Sequence, residues 1–471
     1  RVWELRKAGL GVLLNIPGRR KSVQVIEDTA VLPDLFPDYI AEAAGILEKH
    51  RLSCAYYAHI ATGELHLSPL LDLKDPDDIR TFHGLAEDMA ALVKKYRGSL
   101  SGEHGDGRLR GEFIPLMLGP HNYALLKELK KTWDPSGLFN PGKITDTPPI
   151  TENLRYPAGE RRQYPGLVFE FPGEEGLLYA AEKCSGSADC RKSALVGGTM
   201  CPTFMATRDE DKSTRARANI LREFLTRSDR KNKFDHEEIY RVMDLCLSCK
   251  ACKAECPSNV DVARLKAEFL QHYYDIHHVP FRAWLIAWLP RLYVPGMMVR
   301  PLTNLVTGLP VFKRIIGFSV KRPVPALSPV TLRTWERRHR RKNGKLGASG
   351  SDRAAGLSGT SGSQGSSRTE NAGIPKGTVC LFADEFTNYN ESDIGIKAVM
   401  LLERLGYKVI IPRHAESGRT FLSKGLLRSA RKIAVKNIML LRGVVSDERP
   451  LLGIEPSALL AFRDEYPEMA G

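Results

Sequence analysis

The chain of 471 residues predicts three domains of different fold class, in line with its length. Residues 1–145 mix strand-like and helical runs, which indicates an α+β domain. Residues 176–275 are mostly helical and carry two cysteine-rich loops, so an α-helical domain is expected there. Residues 376–471 begin with strand, helix and strand in that order, which predicts a parallel α/β domain.

The α+β prediction for residues 1–145 depends on runs of contrasting periodicity. "GVLLNI" at 11–16 and "AYYAHIATGELHL" at 55–67 are typical of strands, the second run containing a turn. "IRTFHGLAEDMAALVKKY" at 79–96 repeats its apolar residues at helical spacing.

Two stretches of this domain concentrate chemically active side chains. In "HIATGELHLSP", His59 and His66 flank a turn at Gly63, and in "GSLSGEHGDGRLRGEF" Glu103 and His104 lie between glycines. Two histidines and a carboxylate can bind a divalent metal with open positions, and His104 is a candidate general base. The alternative is that histidines on a strand are packed side chains without a ligand.

The helical domain contains the spacing C-x2-C-x2-C-x3-C-P in "DLCLSCKACKAECPSNVDV", residues 244–262. Three thiolates this close can hold three irons of one cubane cluster, and a fourth followed by proline ligates a second cluster. A structural zinc site or disulfides are the alternatives, but zinc sites separate their cysteine pairs and disulfides need an oxidising compartment.

A second cluster requires a partner motif, and "KCSGSADCRKSALVGGTMCP" at 183–202 supplies it. Ser187 stands where the central cysteine of a C-x2-C-x2-C motif belongs. In two-cluster ferredoxins the Cys-Pro thiolate of each motif ligates the cluster of the other motif. This exchange predicts one full set of four thiolates and one set of three. The full set is Cys201, Cys246, Cys249 and Cys252, and the set of three is Cys184, Cys190 and Cys256. The set of three fits a [3Fe–4S] cluster or a [4Fe–4S] cluster with another fourth ligand.

Two segments separate the helical domain from the α/β domain. Residues 280–342 form an amphipathic and basic connector, whose prolines predict short helices that pack on another domain or lie on a membrane surface. Residues 343–375 are rich in Gly and Ser and predict a flexible linker. The α/β domain then begins with the strand "GTVCLFADEF", the helix "SDIGIKAVMLLERLG" and the strand "YKVIIP".

The composition limits the class of protein. A net charge of +14 can indicate nucleic-acid binding, but no nucleic-acid module is visible and the basic run at 333–345 is typical of a solvated face, so no nucleic-acid partner is expected. Clustered thiolates indicate a reducing cytoplasm. No stretch long enough to span a bilayer is visible. The chain begins with Arg1 inside a helical pattern and is expected to be a fragment of a multidomain protein.

The motifs of the first domain, together with "KTWDPSGLFNPGKI" at 131–144, resemble the C-terminal domain of FAD-linked oxidases of the vanillyl-alcohol oxidase superfamily. The D-2-hydroxyacid dehydrogenase branch, acting on D-lactate, glycolate or D-2-hydroxyglutarate, is the most similar. The resemblance implies that His59, His66 and Glu103 bind a divalent metal, zinc or manganese, and that His104 is the base. It also implies that Glu103, Gly105, Asn140 and Lys143 lie beside the flavin and that Arg6 binds the substrate carboxylate. The main FAD-binding domain of that family is missing from this chain.

The resemblance continues along the chain. Residues 176–275 are similar to the two-cluster helical ferredoxin module of fused flavin and iron–sulfur dehydrogenases, and residues 376–471 resemble their cysteine-rich CCG domain. This chain has "HAESGRT" at 414–420 instead of the Cys-Cys-Gly turn and Pro456-Ser457-Ala458 instead of Pro-Ser-Cys. The α/β module is therefore a degenerate CCG domain, and a thiolate-ligated cofactor is not expected at these positions.

The function implied by the resemblance is FAD-dependent oxidation of a D-2-hydroxy acid to the 2-oxo acid. Electrons would pass through the clusters to a quinone, a cytochrome or an iron–sulfur protein. The alternative is a non-catalytic iron–sulfur subunit that transfers electrons in a larger redox complex. The expected location is the cytoplasm, with peripheral contact at the inner face of a membrane as a further expectation.

Overall fold

The computed structural model describes most of the chain as two compact units. The described residues are 3, 9, 11–13, 15–16, 18–25, 27–159, 164, 166–350 and 376–470, with the backbone alone for 342–350. The first unit comprises residues 1–165, 173–189 and 255–260, and the second comprises 166–172, 190–254 and 261–471. The boundaries predicted from the sequence stay predictions.

The first unit is built on an antiparallel sheet. Its strands are β1 (Lys21–Ser22), β2 (Thr29–Ala30), β3 (Cys54–His59) and β4 (Glu64–Leu71), and its helices are α1 (Phe36–Lys49), α2 (Pro76–Lys95), α3 (Ile114–Trp133) and α4 (Leu177–Glu182). β4 pairs antiparallel with each of the other three strands. Mixed helices and an antiparallel sheet agree with the predicted α+β class. Residues 11–13 are helical, so the strand expected at 11–16 is wrong, because a short apolar run does not distinguish a strand from a helix.

Helix α2 is stabilised by its N-terminal cap, by the residues of its first and last turns and by an apolar face that packs into the core. Asp75 caps its start by accepting a hydrogen bond from the Asp77 backbone N–H at 2.9 Å. Pro76 occupies the first turn and Lys94 and Lys95 the last, where they suit the proline geometry and the helix dipole. The buried face packs into the core of the unit. That face includes Phe82, Leu85, Met89 and Val93, and the core also contains Tyr39, Leu47 and Leu67.

The second unit begins with the helices that carry the cysteine motifs. They are α5 (Pro202–Thr207), α6 (Thr214–Arg227), α7 (Glu237–Asp244), α8 (Ala251–Glu255) and α9 (Val262–Tyr274). Ser213 and Asp261 cap α6 and α9 through hydrogen bonds to backbone N–H groups. The cysteines lie mainly in the loops between these helices, as expected.

The connector folds as four helices: α10 (Phe281–Met298), α11 (Arg300–Gly308), α12 (Pro310–Ile315) and α13 (Leu332–Gly350). The expectation that prolines would keep every helix short is wrong for α10, which continues through Pro290 and Pro295. Packing compensates for the lost helical hydrogen bonds: Trp288 contacts Phe421 with ring centroids 5.5 Å apart. α13 extends to Gly350, so residues 343–350 of the predicted linker are helical. Residues 351–375 lie outside the described residues.

The C-terminal module contains a parallel sheet in the order β6-β5-β7, which confirms the predicted parallel arrangement. Its strands are β5 (Gly377–Phe382), β6 (Tyr407–Ile410) and β7 (Leu451–Gly453). Its helices are α14 (Glu385–Tyr389), α15 (Ser392–Arg404), α16 (Arg419–Ser423), α17 (Leu427–Leu441), α18 (Pro456–Asp464) and α19 (Tyr466–Ala470). Among the described residues, no helix has the length and apolar character needed to cross a membrane.

Candidate metal site and iron–sulfur site

The β3–β4 hairpin brings three side chains of the first unit together. His59 pairs across the strands with Glu64, and Tyr57 pairs with His66. Because side chains alternate along a strand, Glu64 and His66 lie on the same face of β4. The loop after α2 adds Glu103, and one ligand atom from each of these four residues lies within 4.8 Å of the others. This cluster of two imidazoles and two carboxylates is the candidate metal site.

The distances within the cluster leave room for a cation. Glu103 Oε1 lies 3.7 Å from His59 Nε2 and 3.7 Å from His66 Nε2. Glu64 Oε1 lies 3.5 Å from His66 Nε2. Glu64 Oε1, which faces the cluster, is buried and finds no hydrogen-bond partner among the described residues. Buried polar atoms without partners are costly, so the donor set fits a divalent ion.

Asp28 fixes the loop that carries Glu103 and His104. Its carboxylate accepts hydrogen bonds from the backbone N–H groups of both residues, each at 2.9 Å, and from Ser101 Oγ at 2.5 Å. Burial acts to raise the pKa of Asp28, but hydrogen bonds from Glu64, Ser101 and the backbone outweigh it and lower that pKa. Asp28 therefore stays ionised and holds the loop at the site.

The neighbouring carboxylates perturb one another. Burial raises the pKa of Glu64 to about 7, and contact with Asp28 and the charge of Glu103 act in the same direction. Burial also lowers the pKa of His66, although nearby acidic groups oppose this effect. Crowded carboxylates beside a neutral imidazole make a local negative field that attracts a cation.

His104 has a partner that orients its ring. Its Nδ1 lies 3.0 Å from Glu27 Oε1, and its Nε2 lies 3.3 Å from Glu103 Oε1. If Nδ1–H donates to Glu27, Nε2 carries no proton and can accept one. Arg110 holds Glu27 in place, since its guanidinium donates to the Glu27 backbone carbonyl and to the Leu100 carbonyl, the latter at 2.9 Å.

Two of the four residues predicted beside the flavin, Asn140 and Lys143, lie on an exposed loop joined to that of Glu103 and Gly105. Lys143 Nζ donates to Asn140 Oδ1 at 3.1 Å. The Ile144 backbone N–H donates to the Gly107 carbonyl at 2.8 Å, which joins this loop to the loop of Glu103 and Gly105. Arg6 lies outside the described residues. The roles of all these residues stay predictions.

Sequence reasoning missed three acidic groups of the site. Glu64 was visible in the motif, because it lies two residues before His66 and so on the same strand face. Glu27 and Asp28 gave no local signal, because they reach the site from a segment about 75 residues away in sequence. Gly102 approaches Glu64 so closely that an added Cβ would lie 2.9 Å from its Cδ.

In the second unit, four thiols surround one small cavity. Cys201, Cys246, Cys249 and Cys252 all line it, and no disulfide joins any two of these four. These are the four residues predicted to ligate the complete cluster, and a cavity lined by four thiols fits a [4Fe–4S] centre. Burial raises the pKa of the Cys252 thiol, so a thiolate there requires compensating positive charge such as iron.

Two buried cations stand beside this cavity, and neither was singled out from the sequence. Arg217 Nη1 lies 3.6 Å from Cys201 Sγ, and its Nη2 finds no acceptor among the described residues. Lys266 Nζ donates to the carbonyls of Cys246 and Asp244 at 2.7 and 3.1 Å. An anionic cluster would neutralise both cations, and such contacts tune the potential of iron–sulfur centres.

The C-terminal module supports the cluster loop from one side. Arg419 Nη2 donates to the Ser248 carbonyl at 2.6 Å, and Lys250 Nζ pairs with Asp464 at 3.0 Å. The second set of cysteines is divided between the units, with Cys184 and Cys256 in one and Cys190 in the other. Its grouping into one cluster stays a prediction.

The turn that replaces Cys-Cys-Gly is filled by a histidine whose ring is fully hydrogen-bonded. His414 Nε2 accepts from the Ala383 N–H at 3.1 Å, and Nδ1 lies 2.6 Å from the Ala415 carbonyl. Burial lowers the pKa of His414 to about 4, so the ring is neutral at pH 7. Both nitrogens are used by the backbone, which leaves none for a metal.

Models of two known families match the two regions that carry the candidate sites. Residues 1–144 match the model of the FAD linked oxidases, C-terminal domain. Residues 183–261, which include all seven motif cysteines, match the model of the 4Fe-4S dicluster domain. Residues 1–144 and 183–261 are therefore similar to these two kinds of domain, and the predicted resemblance is confirmed for both.

Curated relatives match along nearly the whole chain. D-2-hydroxyglutarate dehydrogenase of Escherichia coli is 28% identical over 99% of the chain and 47% of its own length. The enzymes of the same name from Pseudomonas putida and Haemophilus influenzae are 28% and 26% identical, over 100% and 99% of the chain and 48% and 47% of their own lengths. The chain thus spans about half the length of these relatives.

Proposed function

We propose that the protein oxidises a D-2-hydroxy acid, such as D-2-hydroxyglutarate, D-lactate or glycolate, to the 2-oxo acid with FAD as the hydride acceptor. The observation that carries this proposal is the cluster of His59, His66, Glu64 and Glu103 beside His104. A retained donor set of this kind argues against a domain that serves only as a relic.

In this proposal the side chains of the first unit have distinct roles. His59, His66 and Glu103 hold a divalent metal, zinc or manganese, with Glu64 as a fourth donor. When bound, the metal would lower the pKa of the substrate hydroxyl. His104 accepts the hydroxyl proton at Nε2, and Glu27 orients the ring through Nδ1. Arg6 is the proposed partner of the substrate carboxylate.

The flavin would supply the hydride-accepting chemistry, and the surface next to the metal site fits contact with a flavin domain. Asn140 and Lys143 are exposed there. Trp133, Leu138 and Phe139 are exposed to 80%, 75% and 68%, which is unusual for large apolar residues on one short stretch.

The iron–sulfur residues would carry electrons away singly, since each cluster accepts one electron while the hydride supplies two. Cys201, Cys246, Cys249 and Cys252 hold a [4Fe–4S] centre in this proposal, and Cys184, Cys190 and Cys256 hold the second. The terminal acceptor is a quinone, a cytochrome or another iron–sulfur protein. We place the protein in the cytoplasm, where thiolates stay reduced.

The test is anaerobic purification of the full-length protein, followed by flavin, iron, sulfide and metal analysis and by reduction with D- and L-2-hydroxy acids. His66→Ala should lose the divalent metal and turnover while flavin and iron remain. His83→Ala is the matched control, because His83 is a partly buried histidine that bonds Glu112 at 2.8 Å outside the site. If the clusters form but no hydroxy acid reduces the protein, the result would instead support the alternative of an electron-transfer subunit.

A further inference from the structure

The connector helices lie in a segment with an extreme charge pattern. Residues 276–335 contain eight lysines and arginines and no aspartate or glutamate. The basic residues are Arg282, Arg291, Arg300, Lys313, Arg314, Lys321, Arg322 and Arg333. A chain with 55 acidic residues in 471 would place about seven in such a stretch at its average frequency. Their complete absence indicates a surface that avoids negative charge.

Helix α10 buries four residues and leaves several of its large apolar side chains exposed. The buried residues recur every third position and are Ala287, Pro290, Tyr293 and Gly296. The exposed large residues are Phe281, Trp284, Leu292, Val294 and Met298. Met298 is 85% exposed. The helix therefore presents an apolar face that its own unit does not cover.

The next two helices expose apolar residues and turn polar ones inward, which is the reverse of an ordinary surface helix. In α11, Leu302 and Leu305 are exposed to 58% and 63%. The polar residues of the same helix point inward, because Thr303 Oγ1 donates to the Gly296 carbonyl at 3.0 Å and Asn304 bonds the Leu327 backbone. In water this arrangement exposes the residues that folding normally buries.

Helix α12 repeats the inversion. Val311 and Ile315, one turn apart, are 67% and 71% exposed, whereas Lys313 between them is only 8% exposed. We call the exposed large apolar residues of these helices the α10–α12 surface; they are Phe281, Trp284, Leu292, Val294, Met298, Leu302, Leu305, Val311 and Ile315. So large an apolar surface marks an interaction site.

We propose that the α10–α12 surface binds an anionic lipid bilayer as a peripheral anchor. Interfacial helices place Trp, Phe and Leu in the acyl boundary and Lys and Arg at the headgroups, and this segment supplies both. The absence of acidic residues removes repulsion from anionic headgroups. Among the described residues no helix is able to span a bilayer, so the anchor lies in the plane of the interface. This binding goes beyond the proposed dehydrogenation and does not depend on it.

The experiment is co-sedimentation of the purified protein, with its clusters, with vesicles of phosphatidylcholine alone or mixed equally with phosphatidylglycerol. We expect affinity for the mixed vesicles to be at least about tenfold higher and to fall with added NaCl. Leu302→Glu and Ile315→Glu should each weaken binding at least about tenfold. Leu401→Glu is the matched control, because Leu401 on α15 has the same 58% exposure as Leu302.

Three results would overturn the proposal. Equal binding to both kinds of vesicle would remove the role of charge, and equal damage by Leu401→Glu would show that the location is irrelevant. Absence of vesicle binding together with dimers that Leu302→Glu dissociates would assign the surface to a second copy of the chain. Circular dichroism of each variant verifies folding, and hydroxy-acid reduction of a soluble dye reports the proposed function separately.

Discussion

Gly63 forms the hairpin turn on which both the local fold and the candidate metal site depend, and its replacement by alanine should disturb both. It lies in the turn between His59 and His66 with φ +67°, in the left-handed region. An added Cβ would lie 1.9 Å from the Val31 carbonyl oxygen, and the Val31 N–H donates to the Gly63 carbonyl at 3.0 Å. The backbone of β2 and the hairpin turn therefore have to separate in the variant.

The magnitude follows from two costs. A non-glycine residue in the left-handed conformation costs ~1–2 kcal/mol, and forcing an extra carbon into packed structure typically costs ~1–3 kcal/mol. Because the clash is with backbone, side-chain rotation does not relieve it. The opening free energy of the hairpin should therefore fall by about 2–5 kcal/mol, which corresponds to amide exchange about 30- to 5,000-fold faster.

The assay is hydrogen exchange of peptides covering residues 54–71, together with the divalent metal bound per chain. Gly63→Ala should accelerate exchange and reduce metal content, since the turn sets the spacing of His59 and His66. Gly137→Ala is the control: its φ of +64° is nearly the same, and nothing lies within 4 Å of the added Cβ. If both variants accelerate local exchange equally, the approach of Val31 to the turn has no energetic role and the reasoning is refuted.

Three further outcomes are expected. His104→Asn should retain metal but slow flavin reduction about 10²–10⁴-fold; stopped-flow reduction at the unmodified rate would exclude it as the base. A hydrogen bond from Lys130 lowers the pKa of Asp134 from 3.8 to about 2. The stability that this contact provides is therefore present above pH 4 and lost as the pH falls towards 2. Asp134→Asn should remove this pH dependence from acid-unfolding curves. Curves identical to those of the unmodified protein would contradict the prediction. Mild oxidation should give a [3Fe–4S]⁺ electron-paramagnetic-resonance signal that Ser187→Cys suppresses and Cys256→Ala removes. Loss of the other cluster in Cys256→Ala would exclude the crossed ligation.

Local motifs were sufficient to predict much of the candidate sites. His59 and His66 lie on one hairpin, so their proximity follows from a turn at Gly63 and needs no knowledge of the rest of the fold. Three of the four predicted ligands of the complete cluster are close together in the sequence, and only Cys201 is distant. Cys201 was added because a Cys-Pro thiolate ligates the cluster of the other motif. The parallel sheet likewise followed from the order of adjacent elements.

Contacts between distant segments could not be predicted from a single sequence. Glu27 and Asp28 orient the loop of Glu103 and His104, yet nothing in the neighbouring sequence distinguishes them from other acidic residues. α10 continues through Pro290 because tertiary packing outweighs the proline penalty. The apolar composition of 280–322 was evident, but only the structure shows that α11 and α12 turn their leucines and Ile315 outward.

The candidate metal site and the cysteine cavity are surrounded by side chains of opposite charge, so each suits a bound group of a different charge. Around His66, carboxylates of Glu27, Glu64 and Glu103 lie within 4 Å of the imidazole, so the site is short of positive charge. Around the cysteine cavity the buried groups are cations, Arg217 and Lys266, and the guanidinium retains a donor without an acceptor. Buried charge persists only when it is compensated. A divalent cation would compensate the first site and an anionic iron–sulfur centre the second, so the charges of both sites support the groups proposed for them.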